Sequence, residues 1–142
     1  VDSIHKELGH IMWEYVGMGR TEEGLKTALK LLKDIRKEFE TNLFIPGSTE
    51  GVNIELEKAL RLNDFITMGE LIAYDALNRN ESCGGHFREE YQTEEGEAKR
   101  DDENYFYVSC WEYQGSDDVA PVLYKEPLVY EAIKVQTRNY KS

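Results

Sequence analysis

The chain has 142 residues, of which 40% are hydrophobic and 11% aromatic, a composition typical of one folded domain rather than a disordered segment. Its formal net charge of −11 disfavours nucleic acid and anionic membrane as partners, because both are bound mainly through clustered Lys and Arg. No segment approaches the roughly 18 apolar residues of a membrane span, so direct membrane insertion is not expected, and no signal peptide is visible. The chain begins at Val1 within helix-like sequence, which favours a fragment of a larger protein.

Two amphipathic helices are predicted first. Asp2 and Ser3 are plausible N-caps of the first helix, and Gly17 should end it. Its expected buried face recurs at helical spacing and consists of Ile4, Leu8, Ile11 and Tyr15, widened by Met12 and Trp13. Thr21 is the expected N-cap of the second helix, which should end near Asn42. The apolar stripe of this second helix consists of Leu25, Ala28, Leu29, Leu32, Ile35 and Phe39.

A third helix is predicted from about Val52 to Arg79, with Asn63-Asp64 as a pair that could break or kink it. Its expected core residues are Ile54, Leu56, Ala59, Leu60, Phe65, Met68, Leu71, Ile72 and Leu77. We interpret the Met and aromatic side chains among them as core rather than as a cofactor site. Three amphipathic helices with short links predict an antiparallel three-helix bundle, similar to a spectrin repeat, over residues 1–79.

Residues 105–142 change to the two-residue period of β-strands. Tyr105, Tyr107 and Trp111 lie on one side of the first strand, residues 114–118 form a turn signal, and residues 122–124 predict the returning strand of a hairpin. A further strand is expected over residues 129–135, and the basic tail should lie against another surface. The predicted fold class is therefore mainly α: a three-helix bundle, a loop and a small C-terminal β-hairpin extension.

Residues 80–104, between bundle and hairpin, are predicted to form a Gly-rich and acidic loop. Gly84 and Gly85 allow backbone angles that side chains forbid, and His86 and Arg88 follow directly. Residues 89–103 hold eight acidic side chains against two basic ones. The simple interpretation is a helix stop followed by a solvated loop. The functional interpretation is a docking loop, since functional side chains are often placed on loops held by a rigid scaffold.

The sequence predicts no catalytic, cofactor-binding or metal-binding residue. Gly17-Met18-Gly19 lacks the third glycine and the preceding strand of a dinucleotide-binding fingerprint. Cys83 and His86 have ligand-like spacing, but a structural zinc site requires four ligands. The same two side chains could form a nucleophile and its base, but no orienting group is evident. Cys83 and Cys110 are expected to be free thiols in a reducing compartment.

Four stretches of the sequence follow one another in a characteristic order. They are Ile11–Gly17 with Arg20–Leu25, Glu81–Tyr91, Arg100–Asn104, and Val122–Pro127. Together they resemble the C-terminal domain of the flavoprotein subunit of succinate dehydrogenase and fumarate reductase, in which a Glu-Ser-Arg-Gly-x-His-x-Arg run precedes an Arg-Asp-Asp-Glu-Asn cluster. Cys83 stands where that run usually has Arg. L-aspartate oxidase shares the three-helix domain and part of the loop motif.

The resemblance implies a non-catalytic part of an FAD-dependent enzyme of the tricarboxylic acid cycle and electron transport, which interconverts succinate and fumarate. FAD and the substrate-binding residues would belong to flavin and capping domains N-terminal to this part, so no cofactor is expected in the fragment itself. The implied partners are the flavin domain of the same chain and an iron–sulfur subunit. The implied location is cytoplasmic, at the inner face of the cell membrane, where partner subunits would hold the enzyme.

The resemblance and the loop chemistry together predict a set of residues that dock on the flavin domain. The set is Glu81, Ser82, Gly84, Gly85, His86, Arg88, Arg100, Asp101 and Asp102. Arg88 is expected to be solvated in this chain alone, because its partner would lie on the flavin domain. Asp101 and Asp102 are expected to pair with Arg100 or to cap a local turn.

Two other classes of protein stay open at this stage. One is a free-standing acidic helical module whose loop binds a basic partner. The other is a small metal or thiol-redox protein, which would require bound metal or a reactive thiol at Cys83. A glycine-rich flavin-binding segment upstream in the same reading frame would exclude the free-standing module.

Overall fold

A computed structural model describes residues 1–116 and 118–136 of the chain. The elements in chain order are α1 (Asp2–Val16), α2 (Glu22–Asn42), α3 (Ile54–Asn78), α4 (Asp102–Tyr105), β1 (Tyr107–Glu112) and β2 (Val122–Pro127). The three long helices pack together as a bundle, and the two strands form an antiparallel hairpin after it. The predicted mainly α fold, with a bundle followed by a loop and a hairpin, is confirmed.

The helix starts agree only partly with the predicted caps. The Thr21 side chain accepts a hydrogen bond from the Gly24 N–H at 3.0 Å, as expected of an N-cap. The predicted caps of α1 are wrong, because α1 already begins at Asp2 and its N-cap position is Val1, which makes no side-chain cap. Asn53 caps α3 by accepting from the Leu56 N–H at 3.1 Å.

The core lies where α1, α2 and α3 meet. Its buried apolar residues are Ile4, Leu8, Ile11 and Val16 of α1, Leu25, Ala28, Leu32 and Ile35 of α2, and Ala59, Leu62, Ile66, Ala73 and Ala76 of α3. The predicted buried faces of α1 and α2 are confirmed in their centres. Met12 packs against the core as predicted, but the prediction that Trp13 widens the buried face of α1 is wrong, because 83% of Trp13 is exposed. Tyr15, Leu29 and Phe39 are partly buried at the margins of this core.

The predicted core of α3 is largely wrong. Ala59 is buried and Leu77 is partly buried, as predicted. The other seven predicted core residues are exposed: Ile54, Leu56, Leu60, Phe65, Met68, Leu71 and Ile72. The buried face carries mainly small residues, which allow α3 to approach its neighbours closely. At Gly69 an added Cβ would lie 3.1 Å from the Met12 Sδ atom of α1. The helix also runs without a break through Asn63-Asp64, and both of these residues are exposed.

The hairpin is attached to α3 through one aromatic side chain. The Trp111 Nε1–H donates to Asp75 Oδ1 at 2.8 Å, and the Trp111 ring lies edge-on to Tyr74 with centroids 5.0 Å apart. The register pairs Tyr107 with Pro127. The predicted strand over 129–135 is wrong, since no strand forms there.

None of the helices in the described residues is long and apolar enough to cross a membrane. The tail residues Arg138 and Lys141, and Asp117 of the turn, lie outside the described residues.

Candidate functional site: the loop after α3

The loop of residues 80–104 begins with a tight turn at the predicted glycine pair. The Cys83 N–H donates to the His86 carbonyl at 2.8 Å, and the His86 N–H donates to the Cys83 carbonyl at 3.0 Å. Gly84 has a φ of +59°, a left-handed angle that favours glycine. An added Cβ at Gly84 or Gly85 would meet nothing within 4 Å. Gly84 is therefore required for its backbone angle, and the tip of the turn is open on this chain.

The loop pairs with the link between α1 and α2. The Arg20 N–H donates to the Phe87 carbonyl at 3.0 Å, and the Glu89 N–H donates to the Arg20 carbonyl at 2.8 Å. The Arg20 Nε–H also donates to the Val16 and Gly17 carbonyls, both at 3.1 Å. These two carbonyls lie at the C-terminal end of α1, where backbone carbonyls have no intrahelical donor. Arg20 therefore caps the C-terminal end of α1 and also binds the loop. Neither role was predicted from the sequence.

His86 connects Arg20 to the end of α3. The Arg20 Nη1–H donates to His86 Nδ1 at 2.9 Å, and His86 Nε2 lies 2.9 Å from the Arg79 carbonyl. Nδ1 accepts and Nε2–H donates only in the neutral imidazole. Burial and the charges of Arg20, Arg88 and Arg79 hold the pKa of His86 below its ordinary 6.5, against the opposite effect of the bond to the Arg79 carbonyl. The neutral form is therefore the one that the surrounding groups stabilise.

Arg88 is buried, with 1% of its side chain exposed. Its Nη1–H donates to the Ala76 carbonyl at 3.1 Å and to the Leu77 carbonyl at 3.3 Å, which are carbonyls of the last turn of α3. Its guanidinium centre lies 5.4 Å from the centroid of the Tyr91 ring. The prediction that Arg88 is solvated in this chain is wrong. The last carbonyls of a helix lack intrahelical donors. The Arg88 guanidinium of this same chain supplies the donor to two of them.

Glu90 joins Arg88 to the start of α2. Its Oε2 accepts from the Arg88 Nε–H at 3.1 Å, and its Oε1 accepts from the Glu22 N–H at 2.5 Å. Partial burial opposes ionisation of Glu90, but the hydrogen bonds from the Glu22 N–H, from its own N–H and from Arg88 hold its pKa below the ordinary value. The carboxylate thus lies at the positive end of α2, where negative charge is favoured. From the sequence, Glu90 was counted only among the eight acidic side chains of residues 89–103.

Ser82 and Glu81 are the other buried polar residues of the loop. The Ser82 hydroxyl donates to the Arg88 carbonyl at 3.1 Å and accepts from the Arg88 N–H at 2.9 Å. Glu81 accepts from the Arg79 Nη1–H through one oxygen and from the Asp101 N–H through the other, each at 2.9 Å. Both side chains are therefore engaged within the chain.

Arg79 ties the loop to the hairpin. Its guanidinium donates to the Tyr105 and Tyr107 carbonyls, each at 3.0 Å, and its centre lies 5.0 Å from the centroid of the Tyr107 ring. Arg79 was predicted only as the end of α3. Its role in the loop follows from the return of the chain at residues 105–107, which no local pattern indicates.

Asp101 and Asp102, at the end of the loop, have the two roles predicted for them, which are pairing with Arg100 and capping a local turn. The Arg100 Nη2–H donates to Asp102 Oδ1 at 2.5 Å. Asp101 accepts from the Asn104 N–H at 3.2 Å and thereby caps α4, a short helix that was not predicted. The Arg100 Nη1–H also donates to the Gln136 carbonyl at 3.3 Å, so Arg100 holds the chain that follows the hairpin.

The loop therefore joins the end of α1, the start of α2, the end of α3 and the start of β1. Within the described residues, every buried side-chain nitrogen or oxygen has a hydrogen-bond partner, and no group of three His, Cys, Asp or Glu side chains is placed to hold a metal ion. Cys83 and Cys110 are exposed free thiols. The chemical role of this arrangement is to supply hydrogen-bond partners to the backbone groups at the ends of α1 and α3 and at the start of α2. The docking role of the nine predicted residues stays a prediction. Only the exposed residues among them are placed to contact another surface directly.

Comparison with known proteins identifies the family of this chain. Residues 5–140 match the family described as "Fumarate reductase flavoprotein C-term". The chain belongs to this family, the C-terminal domain of flavoproteins of the succinate dehydrogenase, fumarate reductase and L-aspartate oxidase type.

Individual relatives come from more than one kind of enzyme. L-aspartate oxidase 2-b of Nicotiana tabacum is 37% identical over 88 residues, which are 62% of this chain and 13% of that protein. The fumarate reductase flavoprotein subunit of Proteus vulgaris is 30% identical over 102 residues, 72% of this chain and 16% of that protein. A chain of the Mycobacterium smegmatis Sdh1 complex matches 89% of this chain with a TM-score of 0.74 and 26% identity, over 20% of its own length. The chain thus spans about a sixth of the curated relatives it matches.

Proposed function

We propose that this chain is the C-terminal helical domain of a flavoprotein subunit that interconverts succinate and fumarate. One observation carries the proposal. Two of the stretches that carry the resemblance, Arg20–Leu25 and Glu81–Tyr91, meet in space. The Arg20 side chain bonds His86, and the Arg20 backbone pairs with the chain at Arg88. Residues of separate motifs that converge in one hydrogen-bonded cluster support a shared structural design rather than chance similarity.

The domain itself is non-catalytic in this proposal. FAD is bound by the remainder of the parent polypeptide, and electrons pass from the flavin to an iron–sulfur subunit. The match to a chain of the Mycobacterium smegmatis Sdh1 complex supports assembly with other subunits. The assembly lies on the cytoplasmic side of the cell membrane and is attached to it through those subunits.

The second candidate is the same domain in an L-aspartate oxidase. The 37% identity to the tobacco enzyme favours it, although over a shorter stretch than the match to the fumarate reductase subunit of Proteus vulgaris. Both candidates share FAD and a dicarboxylate substrate, so the flavin alone does not distinguish them.

The test uses the full reading frame that contains this chain. The complete protein is purified, its flavin content is measured, and it is assayed with succinate and a dye acceptor and, separately, with L-aspartate and oxygen. Bound flavin with succinate oxidation is the expected result. L-aspartate oxidation without succinate oxidation establishes the second candidate. A complete protein without a glycine-rich flavin-binding segment and without flavin establishes the free-standing acidic module.

A further inference from the structure

The two ring nitrogens of His86 bind groups with opposite requirements. The Arg20 Nη1–H donates to Nδ1 at 2.9 Å, whereas Nε2 lies 2.9 Å from the Arg79 carbonyl, which only accepts hydrogen bonds. The neutral imidazole with its proton on Nε2 satisfies both contacts. In the imidazolium both nitrogens are donors, so a protonated Nδ1 would face the Arg20 N–H without an acceptor between them. The contact between His86 and Arg20 therefore requires a neutral His86.

The charged groups that act on His86 within the described part of the chain are three guanidinium groups. They come from the link between α1 and α2, from the end of α3 and from the loop, and they belong to Arg20, Arg79 and Arg88. The carboxylates of this region are engaged elsewhere. Asp75 of α3 accepts from the Trp111 indole and acts on Arg20, and Glu90 accepts from Arg88 and from the start of α2. A proton added to His86 therefore meets positive charge on three sides.

We call residues 83–86, which carry this imidazole, the His86 turn. Residues 83–85 are exposed, and an added Cβ at Gly84 or Gly85 would meet nothing within 4 Å, so the backbone of the turn has room to move. The chain on either side is held without His86. The Ser82 hydroxyl bonds both backbone groups of Arg88, and Arg88 donates to the last turn of α3. The His86 turn is therefore a short segment between two fixed points, and its histidine ties it to the helices.

We propose that the His86 turn is an acid-sensitive switch, closed while His86 is neutral and opened when His86 takes up a proton from solvent. On protonation the imidazolium leaves Arg20 and moves into water, and the two backbone bonds between Cys83 and His86 open. The Arg20 Nε–H keeps its bonds to the carbonyls at the end of α1. Because Arg88 also stays bound to α3, the opening is local and leaves the bundle folded. The switch depends on residues of this chain alone, whichever parent enzyme carries it.

The size of the effect follows from proton linkage. In the open turn His86 is solvated and has its ordinary pKa of about 6.5, whereas burial and the three guanidinium groups lower the pKa of His86 in the closed turn. The open turn therefore binds the proton more tightly, and a fall in pH below 6.5 favours opening. Between pH 7.5 and pH 5.5 the ratio of open to closed turns should rise by up to about tenfold, which is the limit for a closed form that stays neutral over this range.

The test measures amide hydrogen exchange in the complete protein that contains this chain, at pH 7.5 and at pH 5.5. Mass spectrometry with fragmentation gives the protection factor, which is the intrinsic exchange rate at each pH divided by the observed rate, for the Cys83 and His86 amides. The control within the loop is the turn of residues 93–97, where the Thr93 N–H donates to the Glu97 carbonyl at 2.8 Å and no His is present. The variant His86→Gln removes the titrating group. Its matched control is His10→Gln, at an exposed position of α1.

The expected result is a fall in protection of about three- to tenfold at Cys83 and His86 on going to pH 5.5, with less than a twofold change in residues 93–97 and at the Arg88 amide. The fall should persist in His10→Gln and disappear in His86→Gln. The Arg88 amide shows whether the loop of each variant is folded. If the loop of His86→Gln is not folded, the comparison of the two turns in the unsubstituted protein decides. The proposal is overturned by an equal fall in both turns, by a fall that persists in a folded His86→Gln, or by a His86 turn that is already unprotected at pH 7.5.

Discussion

Arg88 provides the sharpest test of how the bundle is held together. Its guanidinium is almost fully buried, and it donates to two carbonyls of the last turn of α3 and to Glu90. The substitution Arg88→Ala leaves two carbonyls without this donor, removes one of the donors to Glu90 and opens a cavity beside Tyr91. Hydrogen bonds to charged groups contribute about 1.5–3 kcal/mol, and removing one partner of a buried pair costs about 3–5 kcal/mol.

We expect Arg88→Ala to lower the free energy of unfolding by about 3 kcal/mol, because Glu90 is partly exposed and its share of the loss is reduced by solvent. Arg88→Lys should recover part of the loss, since it keeps the charge but not the planar fork. The matched control is Arg61→Ala, an exposed Arg paired with Glu57 within α3, for which a change below about 0.5 kcal/mol is expected. The assay is urea unfolding followed by circular dichroism. A loss below about 1 kcal/mol for Arg88→Ala would refute the assignment of Arg88 as the cap of α3.

Three further predictions concern the core, the pH dependence of stability and the cofactor. Leu32→Ala should cost about 2–5 kcal/mol of unfolding free energy because Leu32 is fully buried, whereas Leu60→Ala on the exposed side should cost less than about 1 kcal/mol in the same urea assay. Burial, together with the nearby charge of Arg20, keeps the pKa of His86 in the folded chain below its ordinary 6.5. As the pH falls from about 6.5 toward that lower value, the unfolded chain binds a proton that the folded chain does not, so stability should decrease; urea titrations should show this decrease reduced in His86→Gln and unchanged in His10→Gln. The 142-residue chain alone should be colourless, since its sequence contains no glycine-rich phosphate loop, and stoichiometric flavin absorbance would contradict this.

The sequence predicted the elements of the fold well because each has a local cause. Thr21 caps α2, apolar residues repeat at helical spacing around Leu32, and the residues that follow Phe106 alternate as a strand does. The expected strand over 129–135 failed for a non-local reason. A strand needs a partner, and the hairpin formed by β1 and β2 does not extend to it.

The faces of α3 were not predictable from periodicity. Phe65 and Met68 are as apolar as Leu62 and Ile66, and the pattern alone does not say which pair meets the bundle. The small residues Gly69, with Ala59, Ala73 and Ala76, decide it, because only their side of the helix allows close approach to α1 and α2.

The site was predicted as a set of residues but not as a geometry. The resemblance identified His86 and Arg88, yet their partners are mostly backbone carbonyls, which leave no trace in the sequence. Arg20 and Arg79 were missed as parts of the site for the same reason, since each donates chiefly to carbonyls that the fold brings near. The one available signal was that Arg20 belongs to a stretch that matched the family.

The bundle is fastened more firmly at one end than at the other, where an exposed ion pair between Lys58 and Asp2 joins α3 to α1 at 3.5 Å. The loop ties together the end of α1, the start of α2 and the end of α3, whereas at the opposite end the exposed link of residues 46–52 is held mainly by Asn53. Local opening should therefore spread from the Asn53 end, and amide hydrogens near the start of α3 should exchange before those near its end.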